Sequence, residues 1–222
     1  MGSKHSQKQP VSERYFMKSD NSSLMNETLR TIRNRRSIRV FTKDEISDEQ
    51  IAALLQAANE APSAHNQQSW RFIVLRGQKK QGLAEMVAER CEAFPRPASA
   101  LLRMAARSIA SAPVVIAIAN TGDLIEHGTD LFKVDKEMAH DFFRTMEIQS
   151  SAAAVENMLL AATSLGLATV WLGILFLIKD EVLKFLEEPA GEFMAVVPVG
   201  HASRLGAGPQ KQPFDVKVKY LD

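Results

Sequence analysis

The spacing of apolar residues changes period several times along the chain, and each change marks an element. Leu29 and Ile32, set among polar neighbours at helical spacing, predict a first helix over Leu24 to Arg35. Ser47-Asp48-Glu49-Gln50 reads as a capping box, and Ile46 and Ile51 stand where a hydrophobic staple would close. Ile51, Leu54, Leu55 and Ala58 then supply one apolar face, and the helix must stop near Pro62. From Trp70 to Leu75 the pattern shifts to alternation, Trp70, Phe72 and Val74 against Arg71, Ile73 and Leu75, which predicts a short strand closed by Gly77.

Gln78 to Ala93 returns to a helical pattern stopped by Pro95 and Pro97, and Leu101 to Ala110 predicts another helix. Pro113 to Ala119 is an unbroken apolar, β-branched run that suits a buried central strand, and residues 120–135 read as a polar excursion. Lys136 to Leu165 carries the longest helical pattern, with Gly166 placed as the residue that ends it. A strand over Ala168 to Leu172, a short helix over Lys179 to Glu187 before Pro189, and a last central strand over Phe193 to Val199 complete the set, ahead of a polar tail from Ser203. Helices and strands in this order predict an α+β (α/β-like) fold. No repeat or linker divides residues 24–222, so one domain is expected there. Residues 1–23, rich in Ser, Lys, Gln and Asn, predict a disordered leader.

Composition narrows the function rather than the fold. With 27 Lys+Arg against 26 Asp+Glu the formal charge is +1, so no chain-wide field draws in a polyanion and a nucleic-acid partner is not expected. The single Cys91 cannot form an intramolecular disulfide or a cysteine-rich metal site, which fits a reducing, cytoplasmic setting. Met158 to Ile178 runs without a charge, yet its small residues and the break at Gly166 predict a buried helix, a turn and a strand rather than a membrane span.

One local cluster stands out against this balance: Arg35-Arg36-Ser37-Ile38-Arg39-Val40-Phe41. Arginine forks and the Ser37 hydroxyl can hold a phosphate monoester, each charge-assisted hydrogen bond being worth about 1.5–3 kcal/mol. The same run also reads as a solvated basic helix end, which complements the helix dipole. A Gly-x-Gly-x-x-Gly turn and a Gly-rich loop ending in Gly-Lys-Ser/Thr are both missing from the sequence. A nucleotide-like cofactor would therefore be held by arginines rather than by a glycine turn.

Four segments in order carry a resemblance: Arg35-Arg36-Ser37-Ile38-Arg39-x-Phe41; Ala61-Pro62-Ser63-Ala64-His65-Asn66-Gln67-Gln68-Ser69-Trp70-Arg71-Phe72; Ala161-x-x-x-Leu165-Gly166-Leu167-x-Thr169-x-Trp171-x-Gly173; and Pro198-Val199-Gly200-His201-Ala202. Together they resemble the nitroreductase family of FMN-dependent oxidoreductases, from about residue 26 to the C-terminus. The resemblance implies a central mixed sheet flanked by helices, and a homodimer with FMN at the subunit interface. It implies that Arg35, Arg36, Ser37 and Arg39 hold the FMN phosphate and ribityl chain. Pro62, Ser63, Ala64, His65, Asn66 and Gln68 would reach the flavin from the neighbouring subunit, and Trp171, Leu172 and Gly173 would lie along the isoalloxazine. Lys211, two residues before Pro213, stands where the family commonly closes the phosphate site with a basic residue, more often Arg.

The implied activity takes hydride from NADH or NADPH onto FMN and passes electrons to a small acceptor, a nitroaromatic or quinone, by a ping-pong mechanism. The same scaffold also serves specialised relatives such as reductive dehalogenases, and a flavin-binding protein without turnover is a further alternative, because fold alone does not decide chemistry. No catalytic side chain is expected, since the chemistry sits at the flavin. Arg103 or Arg107 is a candidate for a positive charge near flavin N1, and residues 91–135, with Phe94, Arg96, Pro97, Phe132 and Lys133, for the acceptor lid. Some of these residues also have plainer readings: Asn66 suits a turn cap, and Trp171 suits an ordinary core.

Overall fold

All seven residues of one strand, Val114–Asn120, are buried, and the rest of the chain is arranged around it. The computed structural model describes residues 24–132, 135–188, 190–204, 206, 208–213 and 215–221; the expected leader, residues 1–23, lies outside them. Four strands, β1 (Trp70–Leu75), β2 (Val114–Asn120), β3 (Ala168–Thr169) and β4 (Glu192–Gly200), form one sheet in the order β1-β2-β4-β3. Every ladder is antiparallel, and the parallel character expected of a mixed sheet is confined to one bridge between Ser37 and Thr169.

Period-two alternation in β2 explains the layers. Val114, Ile116 and Ile118 face one cluster, built with Leu54 and Ala58 of helix α2 (Asp48–Asn59) and Val155, Met158 and Ala162 of helix α6 (Lys136–Ser164). Val115, Ala117 and Ala119 face the other, built with Leu83 and Val87 of α3 (Gly77–Arg90), Leu102 and Ile109 of α4 (Arg96–Ser111), and Val182 and Leu183 of α7 (Lys179–Phe185). A strand covered on both faces must be apolar throughout, which is why its sequence shows no alternation. The capping box at Ser47 is complete, with Ser47 Oγ accepting from the Gln50 amide and Gln50 Oε1 from the Ser47 amide, and Ile46 and Ile51 both lie in the α2 cluster.

The expected polar excursion at 120–135 instead holds a helix, α5 (Asp123–Phe132). Leu124 and Gly128, one turn apart, meet Phe143 of α6, with Ile125 and Phe132 packed beside them. Glycine is needed at position 128, since a Cβ there would collide with the Phe143 ring. The strand expected over Ala168 to Leu172 is cut to two residues, Ala168–Thr169, although Val170 and Leu172 still enter one core cluster and Trp171 the other. Leu172 then keeps one sheet-like bond, from its amide to the Val196 carbonyl at 2.9 Å.

The described residues group into two compact units, 34–205 and a smaller one drawn from residues before 34 and after 205. In the smaller unit, Glu27–Asn34 forms α1, which buries no residue and is started by Asn26, whose side chain accepts from the Leu29 amide at 2.9 Å; Asp215–Lys217 forms a short 3-10 turn. Lys211 is exposed there. Among the described residues, no helix is long and apolar enough to cross a membrane.

Gly128→Ala should destabilise the protein by about 1–3 kcal/mol, the cost of overpacking, which outweighs the roughly 1 kcal/mol that alanine gains over glycine in a helix. The Phe143 ring has little room to yield, being held between Phe132 and Phe142 at 5.2 and 5.0 Å. Urea unfolding measures this directly, and unchanged stability would mean that α5 sits looser on α6 than described.

Candidate functional site

Backbone hydrogen bonds sew three of the four resemblance segments together. The Ile38 amide donates to the Thr169 carbonyl at 2.9 Å, the Thr42 amide to the His201 carbonyl at 2.9 Å, and the Ser203 amide to the Val40 carbonyl at 3.1 Å. The run after Arg36 is thus a strap between β3 and the chain that leaves β4. Gly200 permits this approach, because a Cβ there would lie 2.8 Å from Pro113 and 3.0 Å from Phe41.

Behind the strap lies a recess of about 220 Å³ lined by Arg36, Ile38, Thr163, Gly166 and Ala202, among others. Its wall is the end of α6. Gly166, at φ +73°, closes that helix with two bonds, Leu167 amide to Ala162 carbonyl at 2.8 Å and Gly166 amide to Thr163 carbonyl at 3.2 Å. These satisfy carbonyls that would otherwise repel an anion in the recess. A helix C-terminus is still a negative pole, and the positive charge of Arg36 on the recess wall offsets it. Arg36 Nη1 donates to the Arg35 carbonyl at 2.8 Å, and Arg35 Nε stands 3.9 Å from Glu156 of α6, with Glu156 half-exposed. Ser37 and Arg39 are exposed beside them.

Trp171, Leu172 and Gly173 lie partway along the same edge of β4. Trp171 is half-buried against the α2 and α6 cluster, Leu172 is buried in the opposite one, and Gly173 is exposed. His201 contributes its carbonyl to the strap.

The segment Pro62–Gln68 stands at the far end of the sheet. Trp70, which follows it, pairs with Asn120, whereas Val114 at the other end of β2 pairs with Val199, the residue facing Thr169. Six residues of strand separate these levels, about 20 Å. Helix α6 provides a second ruler: Ser150 Oγ accepts from the Ala64 amide at 3.1 Å, and Thr163, thirteen residues on, lines the Arg36 recess, again about 20 Å. Within the segment His65, Asn66 and Gln68 have φ of 54°, 54° and 53°. Left-handed backbone at three non-glycine residues is costly, and such strain gathers at functional sites. Gln68 Nε2 donates to Asn66 Oδ1 at 3.0 Å and the Gln68 amide to Ser63 Oγ at 3.2 Å. His65 is exposed, its ring edge-on to Phe132 of α5 at 6.0 Å between centroids.

The model of the nitroreductase family matches residues 32–201, three quarters of the chain. The chain belongs to that family. A nitroreductase with bound FMN from Desulfitobacterium hafniense superposes with a TM-score of 0.66 at 27% identity, over 89% of this chain and 100% of that one. A protein assigned as an NADH dehydrogenase/NAD(P)H nitroreductase from Archaeoglobus fulgidus is 35% identical over 75% of this chain and 78% of its own. A 5,6-dimethylbenzimidazole synthase from Rhodospirillum rubrum is 28% identical over 75% of this chain and 77% of its own.

Other candidates of this nitroreductase-family chain lie away from the recess. Arg103 and Arg107 project from α4 into solvent, and Arg103 is near enough to Cys91, on the α3 and α4 side of the sheet, for its charge to act on the thiol. Phe94 packs in that same layer, whereas Phe132 meets His65; Lys133 lies outside the described residues. Cys91 itself is buried, donates to the Val87 carbonyl, and has its thiol pushed up by burial. Residues not singled out from sequence also matter here: Thr163 at the recess, and Glu147, Ser150 and Ser151 on the face of α6 toward Pro62–Gln68. The signal for these is polar residues at i, i+3 and i+4 on the buried face of an otherwise apolar helix.

Cys91→Ser should leave activity unchanged in a steady-state assay; its loss would make the thiol a participant. Glu147 is 1% exposed, and burial raises its carboxyl above the ordinary range, helped by the charges of Asp123 and Glu192 and opposed by the Leu124 amide and Ser69. A raised native value favours the protonated acid, so this contribution is fully present below the unfolded pKa and is lost as pH rises through the native one. Stability measured by urea unfolding from about pH 4.3 upward should therefore fall more steeply in the parent than in Glu147→Gln. Identical slopes would show that Glu147 does not titrate differently on folding.

Proposed function

We propose that the protein is an FMN-dependent oxidoreductase that takes hydride from NADH or NADPH and reduces a small acceptor, a nitroaromatic or quinone, with each flavin held between two copies of the chain. The observation that carries this reading is the sewing of Arg35–Phe41, Thr169–Gly173 and Gly200–Ala202 around one recess with an arginine on its wall. The donor set suits a phosphate: the guanidinium forks of Arg35 and Arg36, with the exposed Ser37 and Arg39 beside them, and no carboxylate among the described residues that line the recess. Trp171, Leu172 and Gly173 begin about 10 Å further along β4, three residues by the strand ruler, and would flank the ring. Bound FMN supplies the hydride and electron chemistry, and the chain supplies binding, orientation and exclusion of water.

The displacement of Pro62–Gln68 supports a homodimer. In a two-fold dimer the same patches meet reciprocally, so one chain's Asn66 end can complete the partner's Arg36 end, and each chain carries two half-sites. The His65 contact to Phe132 supports α5 as the acceptor lid over the completed site. Lys211 remains a candidate for the phosphate on the strength of the family resemblance.

Reconstituted protein should show a flavin absorption band that bleaches under anaerobic NADH or NADPH and returns with a nitroaromatic or quinone. Failure to bind FMN would sink this reading, and a band indifferent to both nucleotides would favour a specialised relative. Arg35→Ala/Arg36→Ala should weaken FMN binding about a hundredfold or more, because the phosphate forfeits two charge-assisted hydrogen bonds. Mixed dimers of that chain with an Asn66→Ala chain contain one intact site of two, so isolated heterodimers should regain about half the flavin content and a randomly assorted co-expression about a quarter. No restoration would place both half-sites in one chain.

A further inference from the structure

Among the described residues, three buried side-chain atoms lack a hydrogen-bond partner: Ser69 Oγ, Asn120 Nδ2 and Glu147 Oε2. They come from three elements and meet at one place. Ser69 directly precedes β1, its carbonyl accepts from the Thr121 amide at 3.2 Å, and Trp70 pairs with Asn120 at the end of β2. Asn120 Oδ1 accepts from Ser151 Oγ, one helical turn after Glu147 on α6. Glu147 Oε1 accepts from the Leu124 amide at 2.9 Å, at the start of α5. The three side chains are 4%, 1% and 1% exposed.

Buried polar groups are normally satisfied, and the Ser69 hydroxyl is near enough to act on the Glu147 carboxyl, so at this junction the three atoms have only one another to turn to. Directly before Ser69 runs the segment with three left-handed residues, and its own bonds are almost all internal: Asn66 amide to Ser63 carbonyl, Gln67 amide to Ala64 carbonyl, Gln68 amide to Ser63 Oγ. Internal bonds alone do not hold a strained turn in one orientation. Its ties to the scaffold are the Ala64 amide to Ser150 Oγ and the Ser69 carbonyl to Thr121, and both insert into the polar strip Glu147, Ser150 and Ser151 or the strand end beside it. A strained backbone persists only where its surroundings over-determine it.

We propose that Glu147 is a positioning residue, which with Ser69 and Asn120 forms a buried polar anchor that holds Pro62–Gln68 in the conformation that presents Asn66 to a flavin. The flavin part rests on the reading given above; the anchor itself does not. A carboxyl at this point ties the head of α5 to the junction and offers its second oxygen to the hydroxyl and amide of Ser69 and Asn120. Glutamine keeps the shape, the acceptor for the Leu124 amide and a donor for the Ser69 hydroxyl, and loses only the acceptor for Asn120 Nδ2. Leucine keeps the volume and removes acceptor and donor alike.

Glu147→Leu, Glu147→Gln and Ser69→Ala in the full chain test this by amide hydrogen exchange without FMN, and then by FMN titration. In Glu147→Leu, exchange at Ala64–Gln68 should accelerate tenfold or more while β2 and β4 keep their protection, and the FMN dissociation constant should rise tenfold or more. Glu147→Gln should restore both to within about threefold of the parent, and Ser69→Ala should fall between. The urea midpoint of Glu147→Leu should fall, because the buried Leu124 amide loses its acceptor, so the protection kept by β2 and β4 is what separates local loosening from global unfolding. Unchanged exchange at Ala64–Gln68 in both Glu147→Leu and Ser69→Ala overturns the anchor. Faster exchange with parental FMN affinity overturns its tie to the flavin, and absence of FMN binding by the parent chain overturns the flavin reading instead.

Discussion

The strap from Ser37 to Thr42 is the constraint on which the candidate site depends. It crosses from β3 to the chain beyond β4 by single backbone bonds rather than a full ladder, and Gly200 lets it lie against the sheet edge. Because the contacts are made by backbone, the strap does not draw on the exposed side chains of Ser37 and Arg39. Without the strap, the arginines would be an ordinary basic end to α1, and the recess beside Gly166 would have no cation on its wall.

A second constraint is distance. The sheet and α6 both set Pro62–Gln68 about 20 Å from that recess, and two elements of different rise per residue agree on the figure. Proximity inside one chain is therefore given up in favour of rigidity at each end. At one end the rigidity comes from backbone pairing. At the other it comes from side chains of α6, and there the chain tolerates left-handed residues and unpartnered polar atoms that an ordinary turn would avoid.

Much of this is legible in the sequence. The capping box at Ser47, the buried run of β2 and the stop at Gly166 each rest on a local rule that the tertiary structure leaves intact. Helix α5 is hidden because Gly128 stands in the middle of its apolar face of Leu124, Ile125 and Phe132, and glycine reads as a breaker when its real role is to admit Phe143. The short β3 looks longer in sequence because Val170, Trp171 and Leu172 keep a strand-like alternation between the two core clusters after regular pairing has stopped, and the pattern of apolar residues does not record pairing. The four segments of the site can be read as motifs, but neither their sewing nor the distance between them follows from order along the chain. Glu147 escapes notice for a similar reason: a carboxylate on a long helix reads as solvated until its neighbours are known.

Helix α6 touches both ends of this arrangement through one unbroken stretch of 29 residues, about 43 Å. That makes its length a locked dimension. One inserted residue would turn everything beyond it by about 100° and move it by about 1.5 Å, so that Ser150 and Thr163 could not both keep their stations. Divergence in chain length among proteins built this way must then be absorbed elsewhere, in the turns around α3, α4 and α5. The stretch from Ser150 to Thr163 in the longest helix is where insertions and deletions would be weeded out.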